Sequence, residues 1–220
     1  MDYKPFRFQA AFFLSSINLS DRMKIASLVR KKARKYFDFD PIILPFPLNS
    51  PPELPQIIIQ NPANKCEFQL SNVRFDISRI FSSDNEEDTF EVIREIQAIS
   101  KKIYKSLTEN FGAKINRLGF ISTVSFGIEK APEFIRTRYL TLEDAQDSEA
   151  INLLYLHKID AAPFKLFKWV RFLSSLNPSQ LLLEIDVNTQ PEMPIVDSLE
   201  NVEKFWDISN KLIKDSIALN

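Results

Sequence analysis

Glu184 and Asp186 stand two residues apart in the string Leu181-Leu182-Leu183-Glu184-Ile185-Asp186-Val187-Asn188. In an extended strand that spacing puts both carboxylates on one face, about 7 Å apart, with Asn188 continuing the column and Leu181, Leu183, Ile185 and Val187 on the other face. Oxygens so placed can share a divalent cation, and metal-dependent hydrolysis or nuclease chemistry is what they would support once further carboxylates joined from other strands. A cross-strand ion pair with Arg74, Lys168 or Arg171 asks for nothing more and is the reading the sequence favours.

The remaining reactive types are scarce. One histidine (His157) and one cysteine (Cys66) cannot supply a multi-His or Cys-rich zinc site within one chain, and no nucleophile-elbow string accompanies His157. His157 is expected to be a hydrogen-bonded strand residue and Cys66 a small buried apolar one. Three scattered glycines (Gly112, Gly119, Gly127) cannot form a Walker loop or a dinucleotide fingerprint. No catalytic residue, metal or cofactor is assigned.

The chain is rich in aromatic residues, with 19 Phe, 5 Tyr and 2 Trp. Phe164, Phe167, Trp169 and Phe172 form the densest run, and together with Glu184 and Asp186 they make the candidate ligand or partner surface; core filling is the competing reading. Trp206 on the last helix is expected to pack rather than to anchor an interface. Arg30, Lys31, Lys32, Arg34 and Lys35 form the strongest charge cluster, which suits a helix C-terminus as well as a phosphate backbone. A net charge of −1 and a pI near 6 give no global field for nucleic acid or an anionic membrane. Arg7 and Gln9 break the apolar N-terminus, and no run of 18 apolar residues appears. With a single cysteine, a reducing cytoplasm is the expected location.

Periodicity supplies the elements that would hold these residues. Phe6, Phe8, Ala10, Phe12 and Leu14 alternate with Arg7 and Gln9, predicting a strand over 5–14. Ser20 precedes an amphipathic helix over 21–37. Prolines crowd the extended connection from Asp38 to Pro55, and strands follow at Gln56–Gln60, Cys66–Leu70 and Val73–Ile80, with a tight turn or bulge at Ser71-Asn72. The acidic stretch Asp84–Asp88 leads into a long helix from Thr89 that stops at Gly112. Strand character returns over 114–127, while 129–150, acidic at Glu143, Asp144, Asp147 and Glu149, reads as an excursion. Leu153–Ile159 and Leu181–Val187 read as strands, and a helix spans about Asp197–Ala218. Phe164–Leu173 is ambiguous, since Lys165, Lys168 and Arg171 also fit a helical stripe; strand is preferred.

This order, with Leu54-Pro55 before a strand, the hairpin between Phe68 and Ile77, and Leu183-Glu184-Ile185-Asp186-Val187 before the closing helix, resembles a sporadically distributed prokaryotic family of uncharacterised proteins of about this length. The resemblance implies no activity and no site. The expected fold is α+β: one domain over 1–220, with a two-half organisation (1–127 and 128–220) as the alternative, built on a twisted, mainly antiparallel sheet with two or three helices on one face. A helix-grip arrangement around an internal cavity is the structural alternative. The expected function is a non-catalytic cytoplasmic interaction module that self-associates as a homo-oligomer. The competing readings are a binder of a small apolar ligand and a metal-dependent hydrolase or nuclease using Glu184 and Asp186; neither membrane nor nucleic acid is expected as a partner.

Overall fold

A computed structural model of the chain describes residues 3–45, 50–81, 87–140, 150–174 and 179–218. Its elements are β1 (Tyr3–Ser16), α1 (Arg22–Lys32), β2 (Ile42–Ile43), β3 (Ile57–Asn61), β4 (Cys66–Leu70), β5 (Arg74–Ile80), α2 (Thr89–Phe111), β6 (Lys114–Gly127), α3 (Ala131–Tyr139), β7 (Asn152–Ala161), β8 (Phe164–Ser174), β9 (Gln180–Thr189) and α4 (Leu199–Ala218). The strands form one nine-stranded sheet in the order β2-β3-β4-β5-β1-β6-β9-β8-β7, and every ladder is antiparallel. The two longest strands, β1 and β6, pair at the centre, so residues far apart in sequence form the middle of the sheet.

Among the described residues there are four helices, one or two more than expected, and all contact one face. The extra one is α3, inside a segment read as an excursion; Pro132 in its first turn, with no N–H to satisfy, starts it. The acidic end of that excursion and Asp84–Glu86 lie outside the described residues. The strand preference at Phe164–Leu173 holds, because the alternation that buries Phe164, Leu166, Val170 and Phe172 outweighs the basic spacing.

Helix boundaries follow capping chemistry. Asp21, rather than Ser20, caps α1, its carboxylate accepting from Lys24 N at 2.9 Å. The helix stops at Lys32, short of Tyr36 and Phe37, leaving Arg30, Lys31 and Lys32 in the last turn where cations suit the dipole. Asp88 caps α2 by accepting from Glu91 N, and Gly112, at φ +63°, closes it in the left-handed region where a side chain would be strained. Phe6 leaves the alternation of β1: the register to β6 shifts between Pro5 and Arg7, burying Pro5 and leaving Phe6 half-buried.

The core fills the space between the helices and one sheet face. Phe12 stacks on Phe75 at 4.3 Å and meets Tyr104 of α2 and Trp206 of α4; Phe120 meets Trp206; Phe164 meets Phe205. These rings occupy the space beneath α4 in which a helix-grip cavity would lie. Trp206 is packing, as expected, and Cys66 is buried on β4 with its thiol pKa pushed up to about 12 by that burial.

Candidate functional site: the helix-free face of the sheet

Alternation along each strand sends every second side chain away from the helices, and the ladders set which of these lie side by side. One row runs Leu156, Trp169, Asp186, Ile121, Gln9 and Ser78 across β7, β8, β9, β6, β1 and β5. The next rows place Leu154, Arg171, Glu184, Thr123 and Arg7 on one side, and Lys158, Phe167, Asn188, Gly119, Ala11 and Asp76 on the other. Among the described residues no helix contacts this face.

Four of the six candidate residues meet here: Phe167, Trp169, Glu184 and Asp186. The other two do not, since Phe164 and Phe172 have the opposite parity on β8 and are buried under α4 and α3, Phe164 against Phe205 and Phe172 against Tyr139 at 4.6 Å. The predicted column of Glu184, Asp186 and Asn188 exists, and Arg171 is the partner of Glu184, at 3.6 Å. Lys168 lies on the helix side, donating to Ser216 Oγ at 3.1 Å. His157 is exposed on β7, and among the described residues its ring makes no hydrogen bond and no strand lies beyond β7 to supply a partner, so the expectation of a hydrogen-bonded histidine fails.

Asp186 is the most perturbed acid of the face. Burial pushes its carboxyl up to about 6, the Glu184 charge adds to the shift, and the hydrogen bond from Asn188 Nδ2 with the Arg74 and Arg117 charges opposes it. Among the described residues no cluster of three His, Cys, Asp or Glu side chains suited to a metal forms around the pair. Asn188 can lie flat because Gly119 faces it: a Cβ on Gly119 would come within 2.3 Å of Asn188 Oδ1. With Ala11 alongside, the centre of the face is a shallow trough floored by small residues.

A further group of polar residues lies beyond Ala11, around Arg74 and Arg117. Arg74 bonds Asp76 through both Nε (2.9 Å) and Nη2 (2.6 Å), and Asp76 also accepts from Gln9 at 2.8 Å. Arg117 lies 4.2 Å over the Phe13 ring and Arg74 4.9 Å from it. Arg117 forms no ion pair among the described residues, its Nε and Asn116 Oδ1 are buried without partners, and burial with the nearby Arg74 charge lowers its pKa. These groups line an open cleft of about 710 Å³. The signal was present as Arg7 and Gln9 alternating with phenylalanines, but sequence cannot say that β1 is central or that Arg74 and Arg117 approach one ring.

Two members of the basic cluster at and beyond the end of α1 are paired locally. Arg30 pairs with Asp40 at 3.0 Å, and Lys35, Tyr36 and Arg79 converge on Glu95 of α2. Burial would raise the Glu95 carboxyl, but these hydrogen bonds and the Lys35 and Arg79 charges outweigh it and hold it below its usual range.

No family model matches the chain, and neither a curated protein nor a solved structure is similar to it at a significant level. No helix among the described residues is long and apolar enough to cross a membrane.

Proposed function

We propose that this protein is a non-catalytic interaction module that associates with itself at the β7 end of its sheet. The observation that carries this is the apolar patch at one end of that face, where Leu154 and Leu156 on β7 adjoin Trp169 and Phe167 on β8. Leu154 and Leu156 are 47% and 42% exposed. Exposed, contiguous apolar surface on a sheet is characteristic of an interface, and a two-fold axis lets one patch meet its own copy. The chemistry on the face supports binding rather than turnover: the acids are held by Arg171, Arg74, Gln9 and Asn188. The single cysteine, buried and free, suits a reducing compartment such as the cytoplasm. Light scattering after gel filtration is expected to give twice the chain mass of 25.5 kDa at micromolar concentration. A strict monomer across a hundredfold dilution refutes the reading.

The cleft at Arg117 favours a second reading, a small-molecule binder. A half-buried guanidinium that forms no ion pair among the described residues, beside an aromatic ring, suits a planar anionic ligand better than the apolar one expected from composition. Native mass spectrometry of freshly purified protein separates the two readings: a co-purified small molecule supports the second, and a ligand-free dimer the first.

A further inference from the structure

We infer that β7 is a self-complementary edge at which two copies of this chain join their sheets antiparallel about a two-fold axis through Tyr155. The inference rests on the self-association proposed above and gives it a location. The two ends of the sheet are finished differently. On β3 the outer backbone of the first two residues is covered by β2, whose Ile42 and Ile43 pair with Ile58 and Ile57. β2 is itself two residues long, between Pro41 and Pro45, and short, proline-flanked edges discourage further pairing. β7 holds the corresponding outer place in the other half, runs ten residues without a proline, and pairs only with β8 among the described residues.

The backbone fixes which groups β7 offers. Ser174 N donates to Ile151 O at 3.0 Å, and the register from Asn152 opposite Leu173 to Ala161 opposite Phe164 is unbroken. Odd-numbered residues of β7 therefore turn their N–H and C=O groups toward β8, and Asn152, Leu154, Leu156, Lys158 and Asp160 turn theirs outward. These same residues project their side chains onto the helix-free face.

Pairing the strand with itself about a two-fold axis opposes residues whose numbers have a constant sum, so candidate registers can be compared. With Tyr155 on the axis, Leu154 opposes Leu156 of the other copy twice over, Asn152 opposes Lys158, and Ile151 opposes Ile159. With His157 on the axis, Leu154 would oppose Asp160 and Leu156 would oppose Lys158; with Leu156 on the axis, Leu154 would oppose Lys158. Opposing an apolar side chain to a charge forfeits its burial, whereas the Tyr155 register merges four leucines into one patch between the two Trp169 side chains. Tyr155, itself 37% exposed, then meets its own copy on the opposite face.

The test is a cysteine scan in a Cys66→Ala background, with Tyr155→Cys, Leu156→Cys and His157→Cys compared under mild oxidation. Facing residues at a two-fold, non-hydrogen-bonded position have Cα atoms about 4.5 Å apart, within disulfide reach, and Tyr155→Cys is expected to cross-link about tenfold faster than the other two. In parallel, Leu154→Lys/Leu156→Lys is expected to be monomeric by light scattering with an unchanged far-ultraviolet circular dichroism spectrum. A wild-type dimer in which Tyr155→Cys cross-links no faster than His157→Cys, or which the lysine pair leaves intact, overturns the edge contact while self-association stands. A monomeric wild type overturns both.

Discussion

The half from β1 to α2 and the half from β6 to α4 repeat one order: strand, helix, antiparallel strands, helix. In the sheet they lie as near mirror sequences about the β1–β6 pair, β3-β4-β5-β1 against β6-β9-β8-β7, with α2 over β1 and β5 and α4 over β6 and β9. They differ in how their outer surfaces are finished. The first half covers the start of β3 with β2 and gives Asp76 two hydrogen bonds from Arg74; the second leaves β7 bare among the described residues and gives Asp186 only an amide. The longer connection of the first half, 33–56 against 140–151, contains the residues that make β2. The same frame thus yields one half finished as structure and one with its polar and apolar groups left available.

Trp206 is the strongest test of whether the halves stand or fall together. It touches Phe12 of one and Phe120 of the other, and Gln97 of α2 exchanges two hydrogen bonds with Asn210 of α4, at 2.8 and 3.0 Å. Trp206→Ala is expected to cost about 3–5 kcal/mol and to shift a single urea transition as a whole. Two transitions, one of them unmoved, would show the halves to be separable.

The paired acids give the next largest effect, with opposite signs. Asp186 has a folded pKa of about 6 against about 3.9 unfolded, so its contribution to stability is fully present below pH ~4 and is lost as pH rises through 6. At pH 8 the buried charge costs at most about 3 kcal/mol by that difference. Asp186→Asn should accordingly match wild type near pH 4 and exceed it at pH 8, in urea midpoints taken at both. Asp76→Asn, which takes a charged acceptor from Arg74 and Gln9, should instead lose about 1–2 kcal/mol at pH 8. Equal signs for the two substitutions would erase the contrast between the halves.

The smallest effect lies in the ion pairs themselves. A double-mutant cycle on Arg74 and Asp76, where two nitrogens donate to one largely covered carboxylate oxygen, should give about 1 kcal/mol of coupling, and one on Arg171 and Glu184, a single 3.6 Å contact, under about 0.5 kcal/mol. Comparable couplings would mean that the second half is finished as firmly as the first.

Much of this arrangement was legible in the residues, because it is local. Alternation marked β1, β4 and β5, the 3.6-residue spacing from Phe90 to Leu107 marked α2, and Gly112 marked its end. The column of Glu184, Asp186 and Asn188 follows from strand parity alone, which also assigns Phe167 and Trp169 to one side of β8 and Phe164 and Phe172 to the other. What parity cannot say is which side the helices cover, and the candidate surface therefore mixed core rings with exposed ones. α3 was missed because its few apolar positions and polar remainder resemble a loop until Ile135 packs into the core.

The sequence by itself determined the elements, their amphipathic faces and the want of nucleophile, zinc and nucleotide motifs, since these depend on residue type and on spacing along one chain. Only the tertiary structure decided that β1 and β6 pair at the centre, that Arg74 and Arg117 share the Phe13 ring, and that, among the described residues, β7 is outermost at one end of the sheet while β2 lies outside β3 at the other. Those are relations between segments as much as 123 residues apart, as Tyr3 and Phe126 are, fixed by which apolar faces bury one another best, and no local pattern encodes the partner.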